Sequence, residues 1–196
     1  MTKHLKMKLT KFFLLTLTYC GLTIIAKSQN ASVEKSTSGV QLGVLGAWFY
    51  NESKLSDKIS LRSEFGLDAG IFGARNFYEV GFILIPVISV EPRYYYNLNK
   101  RVASSESIDG NSGNFASLKT SYNPDWFVIS NNINLRAVNQ ISIIPTWGIK
   151  RNVGNYLTLE SGMGIGYRYY FAKSAGYMEN QGEGAINLHL RIGYRF

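Results

Sequence analysis

Cysteine, histidine, proline and long apolar runs are all scarce in this chain. Its one cysteine, Cys20, lies near the start, and 196 residues hold two histidines and four prolines. Beyond Cys20 there can be neither a disulfide framework nor a thiolate zinc site. With His189 the only imidazole after His4, a zinc site would need several carboxylates, and no spacing of Asp and Glu suggests one. Glu179 and Glu183 flank Asn180-Gln181-Gly182, which is not a ligand-spaced calcium loop. After Ala26 no run approaches the roughly 20 apolar residues of a membrane-crossing helix, which excludes a helical membrane protein.

The first 28 residues read as a secretory signal. Lys3, Lys6, Lys8 and Lys11 precede the apolar stretch Phe12 to Ala26, and Ala26-Lys27-Ser28 offers small residues for cleavage before Gln29. That stretch of 15 residues is too short for a retained anchor. Leu17-Thr18-Tyr19-Cys20 is a poor lipoprotein box, because tyrosine stands where a small residue is wanted. Removing the signal takes five of 21 basic residues and no acids, so the mature charge falls from +8 to +3. The apparent pI near 9.5 therefore belongs partly to the export signal and gives no support for a nucleic-acid partner. Residues 29–37 read as a polar lead-in and 38–196 as one domain.

What the mature chain does have is alternation. Ile186, Leu188, Leu190, Ile192, Tyr194 and Phe196 share one face of the last segment, opposite Asn187, His189, Arg191, Gly193 and Arg195. Six earlier segments repeat the pattern. Val40, Leu42, Val44, Trp48 and Tyr50 form one face of the first, and Ile59, Leu61, Phe65, Leu67 and Ile71 oppose Arg62, Glu64 and Asp68 in the second. The third sets Leu84, Ile88, Val90, Tyr94 and Tyr96 against Ser89, Glu91, Arg93, Tyr95 and Asn97. The fourth alternates Leu118 and Tyr122 with Lys119 and Ser121, the fifth Ile143 and Trp147 with Ser142 and Lys150. In the sixth, Leu157 to Tyr169 alternates with Glu160, three glycines and Arg168. No window shows a comparable helical period.

One face is thus apolar and the other charged. A soluble sandwich or lipocalin would bury the apolar face; an outer-membrane barrel turns it to lipid and the polar face inward. The signal, the terminal aromatic Phe196, and Trp48, Tyr50, Tyr94, Tyr96, Trp147, Tyr167, Tyr169 and Tyr194 near strand ends favour the second. The expected fold is all-β, a small antiparallel transmembrane β-barrel. Seven segments are one short of the even number such barrels carry, so an eighth strand is expected in 125–134 or 75–83. Pro86, Pro92 and Pro145 each remove a ladder donor and call for bulges. The stretches 50–57 and 151–155 read as periplasmic turns, with the mobile loop 99–114 at the same end and 73–83, 123–138 and 170–183 outside.

Val90-Glu91-Pro92-Arg93-Tyr94-Tyr95-Tyr96-Asn97, Asn111-Ser112-Gly113-Asn114-Phe115, Ile144-Pro145-Thr146-Trp147-Gly148-Ile149, Gly164-Ile165-Gly166-Tyr167-Arg168-Tyr169-Tyr170 and Leu190-Arg191-Ile192-Gly193-Tyr194-Arg195-Phe196 resemble small outer-membrane β-barrel proteins of the Bacteroidota. The resemblance spans most of the mature chain. It implies fold and location, and no residue role comes with it.

Facing the polar side inward assembles a lumenal charge network of Arg62, Glu64, Asp68, Glu91, Arg93, Lys119, Lys150, Glu160, Arg168, His189, Arg191 and Arg195. A barrel of about eight strands is filled by its own side chains, so the expected interior is a plug rather than a pore. Phe196 would be the assembly signal read by the barrel-assembly machinery. No catalytic, metal or cofactor site is expected. Gly162-x-Gly164-x-Gly166 lacks the strand–turn–helix setting of a dinucleotide motif, and its glycines would leave room for facing arginines. The expected role is non-enzymatic, structural or surface-interacting, in a monomer meeting outer-membrane lipid. Trp126, Phe127, Tyr170, Phe171 and Tyr177 would lie in or beside the outer loops as contact or anchoring residues. Two alternatives stand beside it: a narrow, porin-like channel for small solutes, and a lipid A-modifying enzyme using His189 with a serine and an acid.

Overall fold

Strands that alternate polar and apolar can satisfy every backbone group only by closing on themselves, and these do. The computed structural model describes residues 31–72, 81–131 and 136–196; the expected signal segment 1–28 lies outside them. The strands are β1 (Ser36–Gly43), β2 (Gly46–Lys54), β3 (Ile59–Phe72), β4 (Gly81–Tyr95), β5 (Gly113–Asn123), β6 (Ile129–Ser130), β7 (Gln140–Val153), β8 (Leu157–Tyr170) and β9 (Gln181–Arg195). All pairings are antiparallel. β1 joins β9, β3 joins β4, and eight strands form a ring from which only the two-residue β6 is left out, paired to β4 at Ile83 and Leu84. No described helix is long and apolar enough to cross a membrane.

The eighth strand comes from neither expected place. In 125–134 there is only β6, and 75–80 and 132–134 lie outside the described residues. It comes from the first segment, which is a hairpin. Gly43 faces Gly46 across a two-residue turn at Val44-Leu45, with Gln41 opposite Trp48 and Gly39 opposite Tyr50. Partners across a ladder point to the same side, so the turn reverses parity. Val40 and Leu42 face outward and Trp48 and Tyr50 inward, 5% and 0% exposed, not in an aromatic girdle. Phe49 takes the outward place.

The remaining faces follow the alternation. Leu42, Phe65, Ile165 and Leu188 are 62%, 57%, 75% and 65% exposed, while Arg62 and Arg93 are fully buried and Glu160 is 1% exposed. The barrel is apolar outside and charged within. Tyr94, Tyr96, Trp147, Tyr167 and Tyr194 are on the outer face, and the Trp147 indole donates to the Tyr96 hydroxyl at 2.7 Å.

The prolines need no bulges. Each ladder keeps its register past them; pairing is interrupted instead, at Glu91-Pro92 on the β5 side and at Ile144-Pro145 on the β8 side. Pro86 precedes the first β4–β5 pair, and its carbonyl accepts from Asn123.

Both ends of 36–196 and the connections 55–58, 96–112 and 154–156 share one end of the barrel, as expected. The stretch 99–114 is not a plain loop. It holds helix α1 (Leu98–Ala103) and a 3-10 turn (Asp109–Asn111). Leu98 packs with Tyr95 and Phe115 and with Ala31 and Val33 of the lead-in, a small apolar cluster across that end. Glu34 binds it down, accepting from the Gly110 N–H and from Arg195 at 2.9 Å. At the rim Lys54, 2.7 Å from Asp57, holds that carboxyl below its usual range.

Large inward rings are seated against glycines on neighbouring strands. A Cβ at Gly148 would lie 2.3 Å from the Phe115 ring, and one at Gly39 2.8 Å from the Tyr50 ring. Gly148→Val should therefore destabilise the barrel by about 1–3 kcal/mol through overpacking, lowering the temperature at which the fast-migrating folded band disappears on gels. Adding Phe115→Leu should recover part of the loss. A single variant that melts like the parent would refute this packing.

Candidate functional site

The site is the lumen. Ten acidic, basic or imidazole side chains are buried among the described residues: Glu52, Glu64, Glu91, Glu160, Arg62, Arg93, Lys119, Lys150, Arg191 and His189. Burying a charge is tolerated only with partners and hydrogen bonds. β3, β4 and β9 each supply two of these groups on alternate positions, and β2, β5, β7 and β8 one each, so they meet inside the ring.

Arg93 forks onto Glu160, its two Nη atoms donating at 3.0 and 2.7 Å, and also reaches Glu91 at 2.7 Å. Arg62 donates to Glu64 and Gln41, each at 2.6 Å. Arg191 meets Glu64 at 2.6 Å and Lys119 meets it at 3.3 Å. Glu52 collects Ser60, Tyr95, Asn111 and Lys150 at 2.7–2.8 Å. Aromatic faces complete the packing: Arg62 stacks 3.9 Å from the Tyr50 ring, Arg93 4.1 Å from Phe115 and Arg191 3.9 Å from Trp48.

The expected network is thus assembled around Arg62, Glu64, Glu91, Arg93, Lys119, Lys150, Glu160, His189 and Arg191. Three expected members stand apart. Asp68 lies higher and accepts from the Trp48 indole at 2.9 Å and from Asn123 at 3.2 Å. Arg168 is at the loop end, 3.7 Å from Glu183. Arg195 is at the opposite end with Glu34. Gln41, on the polar face of the first segment, joins the network, and Glu52, which was not expected there, is the hub that ties four elements together. Reading 50–57 as a turn hid it; β2 runs to Lys54, and alternation from Trp48 and Tyr50 would have placed Glu52 on their face.

His189 sits opposite Gly162, where a Cβ would lie 2.5 Å from its ring. Its nitrogens face Asn187 and Glu160, each at 3.4 Å. Gly162 thus makes room for an imidazole, not an arginine. At Gly164 and Gly166 a Cβ would meet β7 backbone, at the Pro145 and Ile143 carbonyls. Tyr170 points toward the lumen's mouth, its hydroxyl donating to Glu183 at 2.7 Å, whereas Trp126, Phe127, Phe171 and Tyr177 are exposed.

Towards the termini, the charge layer abuts the apolar cluster under α1. Towards the loops, it floors a cavity of about 410 Å³. The lumen is a cup. Set against protein-family models, curated proteins and solved structures, the chain matches none.

Glu52→Ala would leave Lys150 buried and uncompensated, a loss of about 3–5 kcal/mol. Exposed Glu106→Ala should stay within about 0.5 kcal/mol. Urea unfolding of the refolded protein, followed by tryptophan fluorescence, compares them; equal effects would deny Glu52 its place.

Proposed function

We propose that this chain is a non-enzymatic outer-membrane β-barrel protein, of the kind its sequence resembles in the Bacteroidota, with a structural or surface-interaction role. One observation carries the reading: a closed ring of strands presents Leu42, Phe65, Ile165, Ile186 and Leu188 outward and buries ten acidic, basic or imidazole side chains inside. Water would penalise that arrangement on both faces, while lipid outside and ion pairs inside satisfy it. The signal segment and terminal Phe196 agree with export and assembly. The Phe196 ring lies 6.1 Å from Phe49, and its N–H donates to Ser38 across the β1–β9 seam. An assembly machinery that reads the last strand would meet Phe196 there.

The packed layer and the capped end speak against a conduit. Nor do His189's neighbours favour acyl chemistry, which needs a serine hydroxyl at hydrogen-bond distance; the contacts described for it are Asn187 and Glu160.

Cell fractionation and gels with and without boiling test location. The mature protein should be found in outer membranes with a fast unboiled band, and deleting Phe196 should weaken that band. A soluble periplasmic protein without a heat shift would sink the proposal. In planar bilayers the parent should give a flat trace. Glu91→Ala should lower heat stability; a change of conductance with stability intact would instead establish a conduit.

A further inference from the structure

We infer that the cup at the loop end of the barrel binds a small soluble oxyanion, a phosphate monoester or a carboxylate. The inference rests on charge counting within the lumen and does not require that the barrel reside in a membrane.

Among the described residues, four buried glutamates oppose five buried lysines and arginines. The imbalance is localised. Toward the capped end, Glu52, Glu91 and Glu160 are matched by Lys150, Arg93 and Arg62, the last 3.8 Å from Glu52 and 3.6 Å from Glu160. Toward the cup, the single carboxylate of Glu64, which also meets Arg62, faces both Lys119 and Arg191. One negative charge cannot neutralise two, and a buried surplus of this sign calls for a counter-charge.

The cup's lining repeats the bias. Lys119 and Arg191 are at its floor, and Arg136 and Arg168 are nearer the mouth. The only acid among its lining residues is Asp68, already engaged by Trp48 and Asn123. The Nε atoms of Arg168 and Arg191 are buried without a hydrogen-bond partner, a state that native proteins rarely leave unanswered. Ser121, Asn123, Gln140, Ser142 and Asn187 add hydroxyls and amides around them. A volume of about 410 Å³ falls within the range of small-molecule sites, roughly 300–1,000 Å³. Lys119 and Arg191, buried on strands with only Glu64 as a shared carboxylate, and Arg168, which at the mouth also meets Glu183 at 3.7 Å, would recognise a compact anion with several oxygens. The barrel wall separates them from the apolar outer surface, so the ligand enters from solution.

Titration calorimetry of the refolded full barrel in neutral-detergent micelles tests this, with glucose 6-phosphate and gluconate as anionic probes and glucose as the neutral control. At least one anion should bind saturably at one site, glucose should not, and raising the salt should weaken binding. Arg168→Gln, at the half-exposed mouth, should weaken it about tenfold, the loss of one charge-assisted contact. Lys119→Met should weaken it at least as much. If Lys119→Met loses its heat-shifted folded band, the Arg168→Gln comparison alone decides. The inference is overturned if neither anion binds the folded parent, if glucose binds as well as the anions, or if folded Arg168→Gln binds them unchanged.

Discussion

Everything else in this molecule depends on keeping four glutamates and five cations out of water inside a narrow ring. Each ion desolvated costs several kcal/mol after relaxation, and only dense pairing offsets that. The layer meets the demand by sharing. Glu64 accepts from residues of β3, β4, β5 and β9, and Glu52 gathers partners from β3, β4, β7 and the 3-10 turn. Removing Glu52 would strand Lys150, and removing Glu64 would leave Lys119 and Arg191 without a carboxylate. The network thus staples together strands that are far apart in sequence, the task an apolar core performs in other folds.

Charge alone would not fill the space. The guanidinium planes of Arg62, Arg93 and Arg191 lie over Tyr50, Phe115 and Trp48, and two of those rings are seated against Gly39 and Gly148 on the next strand. Small residue, ring and cation form a repeated three-part packing unit. It explains how a glycine-rich sequence closes a barrel without leaving a channel. It also explains why inward aromatics belong to the same layer as the charges, their faces supplying electron density where carboxylates do not reach.

The two ends of the lumen are built differently. At one, Tyr95, Leu98 and Phe115 with Ala31 and Val33 replace water by apolar contact, and Glu34 ties the lead-in to Arg195. At the other, polar and cationic side chains surround open volume. The barrel is capped by apolar contact at one end and lined by cations at the other. That asymmetry places any chemistry of recognition at the loop end, whether for a dissolved ligand or for the exposed Trp126, Phe127 and Tyr177 around it.

Local chemistry by itself determined which face of most strands is apolar. Side chains alternate every residue, so Ile186 to Phe196 or Leu157 to Tyr169 announce their two faces without any partner. From that followed an all-β barrel, the inward direction of Arg62, Glu91, Arg93, Glu160 and Arg191, and the grouping of the connections at two ends. Period two carries no information about where a strand turns back. Apolar Val44 and Leu45 continue the pattern through a tight turn, and only cross-strand pairing revealed the hairpin that supplies the eighth strand and sends Trp48 and Tyr50 inward. Depth was equally hidden. Glu52, Glu64 and Asp68 look alike in sequence, yet register puts Glu52 and Glu64 in the ionic layer and leaves Asp68 to Trp48 and Asn123. Pairing partners in a ring are set by closure, a property of all eight strands together, and no single stretch of the chain contains it.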